Sequence, residues 1–353
     1  MTDALRRHDP AIRGFASDNN AGVHPEVLEA IILANGGHQP AYGADDYTEH
    51  IQRVFGRHFG EQAATYPVCT GTGANVIALQ ACVPRWGAVI AAESAHAYLD
   101  EGGAPEKMAG IKFHPVATPE GKLTPELIDR EAWGWGNEHR AQPSAVLLSQ
   151  STELGTCYSP AEIRAICDHA HELGMLVHMD GARLANAAAS LDEPMRRFTA
   201  DAGVDVVSFG GTKNGLLLGE AVVVLSPDKV RDLDYLRMMS MQLMSKMRFI
   251  SVQFEALLSG DLWLRSAAHA NAMAARLHSA AREIDGVRLT RPVQANSVFA
   301  ILPREAGERL QKRHRFYVWN ERTGEVRWMC AFDTTPEDVD NLAADLAAEM
   351  RKP

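Results

Sequence analysis

The chain has 353 residues, 46% of them hydrophobic and 23% charged, which is ordinary for a soluble globular protein. A formal net charge of -10 without any Lys/Arg block argues against a nucleic-acid partner, and no apolar stretch is long enough to span a bilayer. The opening residues Met1-Thr2-Asp3-Ala4-Leu5-Arg6-Arg7-His8 lack the apolar run of a secretory signal, so a cytoplasmic protein with no membrane partner is expected.

Apolar runs alternate with helical patterns through the first two-thirds of the chain. Thr65–Cys69 reads as a strand, and Thr70-Gly71-Thr72-Gly73-Ala74-Asn75 turns it into the helical pattern Val76–Val83. Further strand-like runs follow at Ala88–Ala92, Ala145–Ser149, Met175–Met179, Val204–Phe209 and Ala221–Leu225. Between them, Ser159-Pro160-Ala161-Glu162 carries a cap, a proline at the first helical position and a capping-box glutamate, and Gly174 supplies the stop. Alternation of this kind predicts a mostly parallel sheet with helices on both faces. The remainder differs. Asp228–Ser259 reads as one long Met-rich helix and Ser266–Ile284 as an alanine-rich one. Short strands are expected at Val287–Thr290, Ser297–Leu302, Phe316–Trp319 and Glu325–Ala331, with a last helix from Thr335-Pro336-Glu337-Asp338. Single cores stop growing at roughly 250–300 residues. The expected division is an N-terminal arm at 1–20, wrapping onto the large domain or a neighbouring subunit, a large domain at 21–259, and a small α+β domain at 260–353.

Ligands in sheets of this type bind beyond the carboxyl ends of the strands. Two runs end there in charge: Met175–Met179 in Asp180-Gly181-Ala182-Arg183, and Val204–Phe209 in Gly210-Gly211-Thr212-Lys213. A lysine in a buried setting loses its proton readily and becomes a nucleophile, and a carboxylate beside it can hold a ring N–H. That pair points to pyridoxal phosphate chemistry. The turn Gly71-Thr72-Gly73 at a helix N-terminus is suited to a phosphate, although an ordinary strand-to-helix turn has the same look. It is no dinucleotide fingerprint, because Val76 stands where the third glycine would be. His96 can stack on a flat ring or move a proton, and a lone histidine is also often structural. Arg183 can fork onto a substrate carboxylate or form a local salt bridge, and Arg327 is either a second clamp or an edge residue. The five cysteines are odd in number and lack a C-x-x-C pair, so reduced, mostly buried thiols are expected. His171-Glu172-Leu173-Gly174-Met175 has Met in place of the second histidine of H-E-x-x-H, which argues against zinc.

Taken in order, Ser17-Asp18-Asn19, Ala41-Tyr42-Gly43, Thr70–Asn75, Glu93-Ser94-Ala95-His96, His178–Arg183 and Gly211-Thr212-Lys213 resemble the low-specificity L-threonine aldolases, within the β-eliminating lyase and threonine aldolase group. The resemblance implies a pyridoxal phosphate enzyme of fold type I, usually tetrameric, with active sites at dimer interfaces. It implies retro-aldol cleavage between Cα and Cβ of L-threonine, L-allo-threonine and related L-β-hydroxy-α-amino acids, phenylserine types included, to glycine and an aldehyde. By position, Lys213 resembles the lysine that holds the cofactor covalently, Asp180 the partner of the pyridine nitrogen, and Gly71, Thr72 and Gly73 the phosphate cup. His96 resembles the histidine stacked on the ring. Ser17, Arg183 and Arg327 resemble the carboxylate clamp. Arg248 resembles an arginine that reaches a phosphate in another subunit, with Tyr42 at that shared site. The chain departs from the pattern at Ser151-Thr152-Glu153-Leu154-Gly155, where Glu153 replaces a histidine seen in many members. The catalytic base is therefore His96, Glu153 or an ordered water. Two readings stand beside this one. The first is another reaction of the same cofactor, such as β-elimination, transamination or racemisation. The second is an anion-binding scaffold without the cofactor.

Overall fold

The computed structural model describes residues 6–352. Its larger sheet has seven strands: β1 (Ala64–Val68), β2 (Gly87–Ala92), β3 (Lys112–Val116), β4 (Gln142–Ser149), β5 (Leu176–Gly181), β6 (Val206–Gly210) and β7 (Glu220–Val224), in the order β1-β7-β6-β5-β4-β2-β3. Pairing is parallel from β3 through β6, and β7 runs antiparallel to both of its neighbours. The expected mostly parallel sheet is present. The reversal of β7 was invisible in its sequence, because a strand buried on both faces reads as the same apolar run in either direction.

Alternation along each strand feeds two cores. Val177, Met179, Val207 and Phe209 enter one, while Val206, Val222, Ala145 and Leu147 enter the other. Helix Pro160–Glu172 begins on the expected capping box and is followed by Gly174 at φ +78. β3 was not foreseen. Its Lys112, His114 and Pro115 interrupt the apolar pattern, as an edge strand tolerates.

The second sheet is antiparallel, ordered β10-β11-β9-β8, from β8 (Arg288–Leu289), β9 (Ser297–Ile301), β10 (Tyr317–Asn320) and β11 (Glu325–Met329). It shares a core with helices Leu262–Arg282 and Pro336–Met350.

One expectation is corrected. The long helix over 228–259 is two helices, Leu233–Met239 and Arg248–Leu258. The chain breaks at Met241, with φ 58, and the break delivers Gln242 inward, where its Oε1 accepts the Cys69 N–H at 3.0 Å. The segment expected as an N-terminal arm touches both sheets: Asp18 pairs with Arg183 just after β5, and Phe15 reaches the small sheet. Phe15 is buried in the core of the small one, its N–H donating to the Arg315 carbonyl at 2.7 Å and its carbonyl accepting from Met329 at 2.8 Å.

Candidate active site

The ends of β5 and β6, the turn after β1 and the arm meet at one edge of the large sheet, around a cavity of about 1130 Å³. β6 runs so close to β5 here that a Cβ on Gly210 would lie 2.4 Å from the Ala182 carbonyl oxygen. One on Gly211 would lie 2.4 Å from Leu216 Cδ1 and 2.7 Å from the Gly219 carbonyl oxygen. These two glycines let the chain turn sharply into Thr212–Asn214, which presents Lys213 to the cavity. Burial pushes the Lys213 ammonium below the usual lysine range, and the charge of Arg183 acts the same way, against Asp18, Asp180 and Glu220.

Asp180 stands opposite Ser208 in the β5–β6 register, on the face that meets helix Gly71–Cys82. Its Oδ2 accepts from Asn75 Nδ2 at 2.9 Å and its Oδ1 from the Ala182 N–H at 3.0 Å. Burial pushes this carboxyl up. The charge of Lys213, the two hydrogen bonds and His178 outweigh it and hold Asp180 below the usual carboxylate range. Asn75 also donates to Glu101 Oε1 at 2.8 Å, and Glu101 Oε1 lies 3.0 Å from His96 Nδ1. A carboxylate only accepts, so His96 donates from Nδ1 and keeps Nε2 free. The Glu101 hydrogen bond raises the His96 pKa, against its partial burial.

Glu153 lies beside His96. Its Oε1 accepts from the His96 N–H at 2.9 Å and from Ser149 Oγ at 2.7 Å, while its Oε2 is buried without a partner. Burial first, and the charge of Asp180 second, raise its pKa. A buried carboxyl of raised pKa with an open oxygen on a cavity is suited to proton exchange.

At the start of helix Gly71–Cys82 the cap Thr70 accepts the Gly73 N–H at 3.1 Å, and the Ala74 N–H reaches the Thr70 carbonyl at 3.0 Å. The Gly71 and Thr72 N–H groups have no protein acceptor among the described residues, and both residues line the cavity. They form an anion cup at a helix N-terminus.

On the far wall Arg183 donates from Nε and Nη2 to the two Asp18 oxygens at 2.8 Å each, and Asn296 donates to Asp18 at 3.0 Å. The fork that the sequence offered to a substrate is thus held by Asp18. Among the described residues of this wall, Arg327 is left open. Its Nε is buried without a partner, and its guanidinium lies 4.5 Å from the Trp319 ring centroid. Burial and the charge of Arg183 hold its pKa down to about 10. Ser17 and Asn19 also line the cavity.

Three residues named from sequence are not on the cavity wall. A Cβ on Gly73 would sit 2.4 Å from Gln242 Cδ, so the bare position fits the inward glutamine rather than a phosphate. Tyr42, 58% exposed, and Arg248, which donates to the Gly37 carbonyl at 3.3 Å, belong to a surface next to the helix break, where the Tyr42 N–H meets the Ser245 carbonyl at 3.0 Å. Sequence reasoning gave no role to Asp18, Asn75, Glu101 or Glu220. Asp18 and Asn75 stood inside quoted motifs. Glu220 carried a signal of its own, a charge opening the run Ala221–Val224.

A family model described as the beta-eliminating lyase family matches residues 14–304. The chain belongs to that family. Within it, the chain is 41% identical over 338 residues to a low specificity L-threonine aldolase from Pseudomonas sp. (strain NCIMB 10558), covering 95% of this chain and 97% of the relative. It is 42% identical, with the same coverage, to the low specificity L-threonine aldolase of Pseudomonas aeruginosa. A solved threonine aldolase structure from Leishmania major superposes with a TM-score of 0.90 at 28% identity, covering 95% of this chain and 99% of that one. The architecture is therefore fold type I and the chain is a lyase. Membership implies pyridoxal phosphate, and the donors fit it. An ionised carboxylate suits a ring N–H, two open N–H groups suit a phosphate, and a lysine of lowered basicity faces the space between them.

Proposed function

We propose that this protein cleaves L-threonine, L-allo-threonine and related L-β-hydroxy-α-amino acids, phenylserine types included, to glycine and an aldehyde. The observation that carries the reading is the meeting of Lys213, Asp180 and the Gly71–Thr72 cup around one cavity. Bound pyridoxal phosphate supplies the electron sink for the pair released when Cα–Cβ breaks. Lys213 would hold the cofactor covalently, Gly71 and Thr72 would hold its phosphate, and His96 would lie against its ring. Asp180, kept ionised by its partners, would hold the proton on the ring nitrogen. Arg327 grips the substrate carboxylate, with Ser17 beside it, and Arg183 shapes the same wall through its pair with Asp18. Holding the carboxylate fixes which Cα bond faces the sink. Glu153 Oε2, buried and unpartnered, takes the β-hydroxyl proton as the bond opens, with His96 Nε2 the other group in reach of that role.

We further propose a homotetramer, a dimer of dimers, in which Arg248 and Tyr42 complete a neighbour's cavity. Supporting this is the exposed apolar surface they share with Tyr235, Met238, Met239 and Met241. The units at 1–20, 21–259 and 260–353 are kept as the proposed domain division.

Incubation with L-threonine and with L-threo-phenylserine, assaying glycine and aldehyde together, tests the reaction. Equimolar glycine and aldehyde are expected. A keto acid, ammonia or the enantiomer as the main product would move the assignment to elimination, transamination or racemisation. A colourless protein that takes up no pyridoxal phosphate would favour the scaffold.

A further inference from the structure

Glu220 is the first residue of β7, paired with Gly210 of β6 on one side and Val68 of β1 on the other. The rest of the strand, Ala221 to Val224, is apolar and buried, and the Glu220 residue itself is only 7% exposed. A carboxyl in such a place is costly unless a charge or a donor answers it. No ion pair within 4.0 Å reaches it among the described residues, and Thr212 is the donor that answers it. Glu220 lines the cavity with Lys213 and Asp180. The segment between Lys213 and Glu220 is closed on itself, since the Gly219 N–H donates to Thr212 Oγ1 at 3.1 Å. Lys213 and Glu220 are therefore carried on two ends of one short loop and face the same space.

We propose that Glu220 is a positioning residue acting through Lys213: it takes the proton that Nζ must lose before that nitrogen can bond to a carbonyl carbon, and returns it when the bond is exchanged. Nζ and the carboxylate stand more than 4.0 Å apart, so one water carries the proton: an N–H bond of the ammonium breaks, the water takes that proton and gives up one of its own, and an O–H bond on the Glu220 carboxylate forms. Two charged groups become neutral, and the water is regenerated. Burial pushes the Glu220 carboxyl up to about 7, with Thr212 and Lys213 pulling it down and Asp180 adding to the rise. The charged groups facing it are Lys213 on the turn and Asp180 on β5, while Arg183 and Asp18 act on Lys213 from the far wall.

This role rests on Lys213 being the covalent residue, so the test reads the link between the two side chains without using the cofactor. The full-length protein, freed of cofactor, is treated with trace formaldehyde and cyanoborohydride from about pH 5.5 to 10. The methylation rate of Lys213 is followed by peptide mass spectrometry. The wild-type profile is expected to show two inflections, the lower near 7. Glu220→Gln should lose the lower inflection and move the Lys213 midpoint down by roughly one pH unit, and Glu220→Asp should move it back up. A wild-type curve with one inflection overturns the proposal whether or not any variant folds, and so does a Glu220→Gln curve that coincides with the wild type. A failure of the covalent role shows separately, as no visible band on adding pyridoxal phosphate.

Discussion

The two walls of the cavity are built to different degrees of completion. On the sheet side, Asp180, Asn75, Glu101 and His96 follow one another through hydrogen bonds of 2.9, 2.8 and 3.0 Å. On the arm side, Arg183 is locked to Asp18, and Arg327 keeps a buried Nε with no acceptor. The sheet wall links its charges to one another and leaves Glu153 Oε2 open, which suits it to hold an electrostatic state and exchange a proton. The arm wall carries a cation in want of an anion, so its task is to grip something that arrives. On the proposed reading, one wall governs reactivity and the other governs orientation.

That contrast can be broken by substitution. Lys213→Ala should remove turnover and the visible cofactor band together, and a variant that turns over fully with cofactor bound would end the covalent role. Glu153→Gln should lower kcat by roughly 10²–10⁴-fold if Glu153 is the base. It should also remove an acid limb that in the wild type lies above the ordinary Glu range, because burial raises this pKa. An unchanged rate across pH would transfer the role to His96 or water. The same shift has a stability counterpart. The folded pKa lies above the unfolded one, so the contribution is full below the ordinary Glu pKa and is lost as pH rises through the folded value. Glu153→Gln should therefore melt higher than wild type at alkaline pH, and a melting difference independent of pH would contradict this.

The arm wall gives smaller and separable effects. Arg327→Ala should lose about 1.5–3 kcal/mol of substrate binding, read as a KM rise of roughly 10–100-fold with little change in Tm. Arg183→Ala should lower Tm as well, because Asp18 is left buried without its cation, a loss of about 3–5 kcal/mol. Equal Tm changes in the two would erase the distinction between them. The smallest effect expected is from Gly73→Ala, which pushes Gln242 off the Cys69 N–H at a cost of about 1 kcal/mol while cofactor affinity stays as it was. A large loss of cofactor affinity would return Gly73 to the phosphate cup.

The sheet wall was the more legible of the two. Apolar runs ending in Asp180 and Lys213, and a glycine turn opening a helix, are local patterns, and local patterns survive in a single sequence. The pairing of Asp18 with Arg183 joins residues 165 positions apart. The direction of β7 depends on its neighbours, and nothing in either residue's surroundings announces such facts. The break at Met241 was missed for a related reason. Its Met-rich flanks favour helix, and the inward pull on Gln242 comes from Cys69 and Gly73, far along the chain. Tyr42 and Arg248 were placed by resemblance alone, and within one chain they lie on the outer surface.

The reversed strand has a consequence of another kind. A wholly parallel sheet presents to its binding edge only the residues where strands finish, and the loops that follow are free to vary in length. β7 presents the residue where it starts, tied to Lys213 by a loop that closes through Thr212 and Gly219. Insertions in that loop would displace the lysine and the glutamate together. Outside Gly215 and Gly219, whose φ of 102 and 149 favour glycine, the spacing between positions 213 and 220 should therefore tolerate changes of residue far better than changes of number.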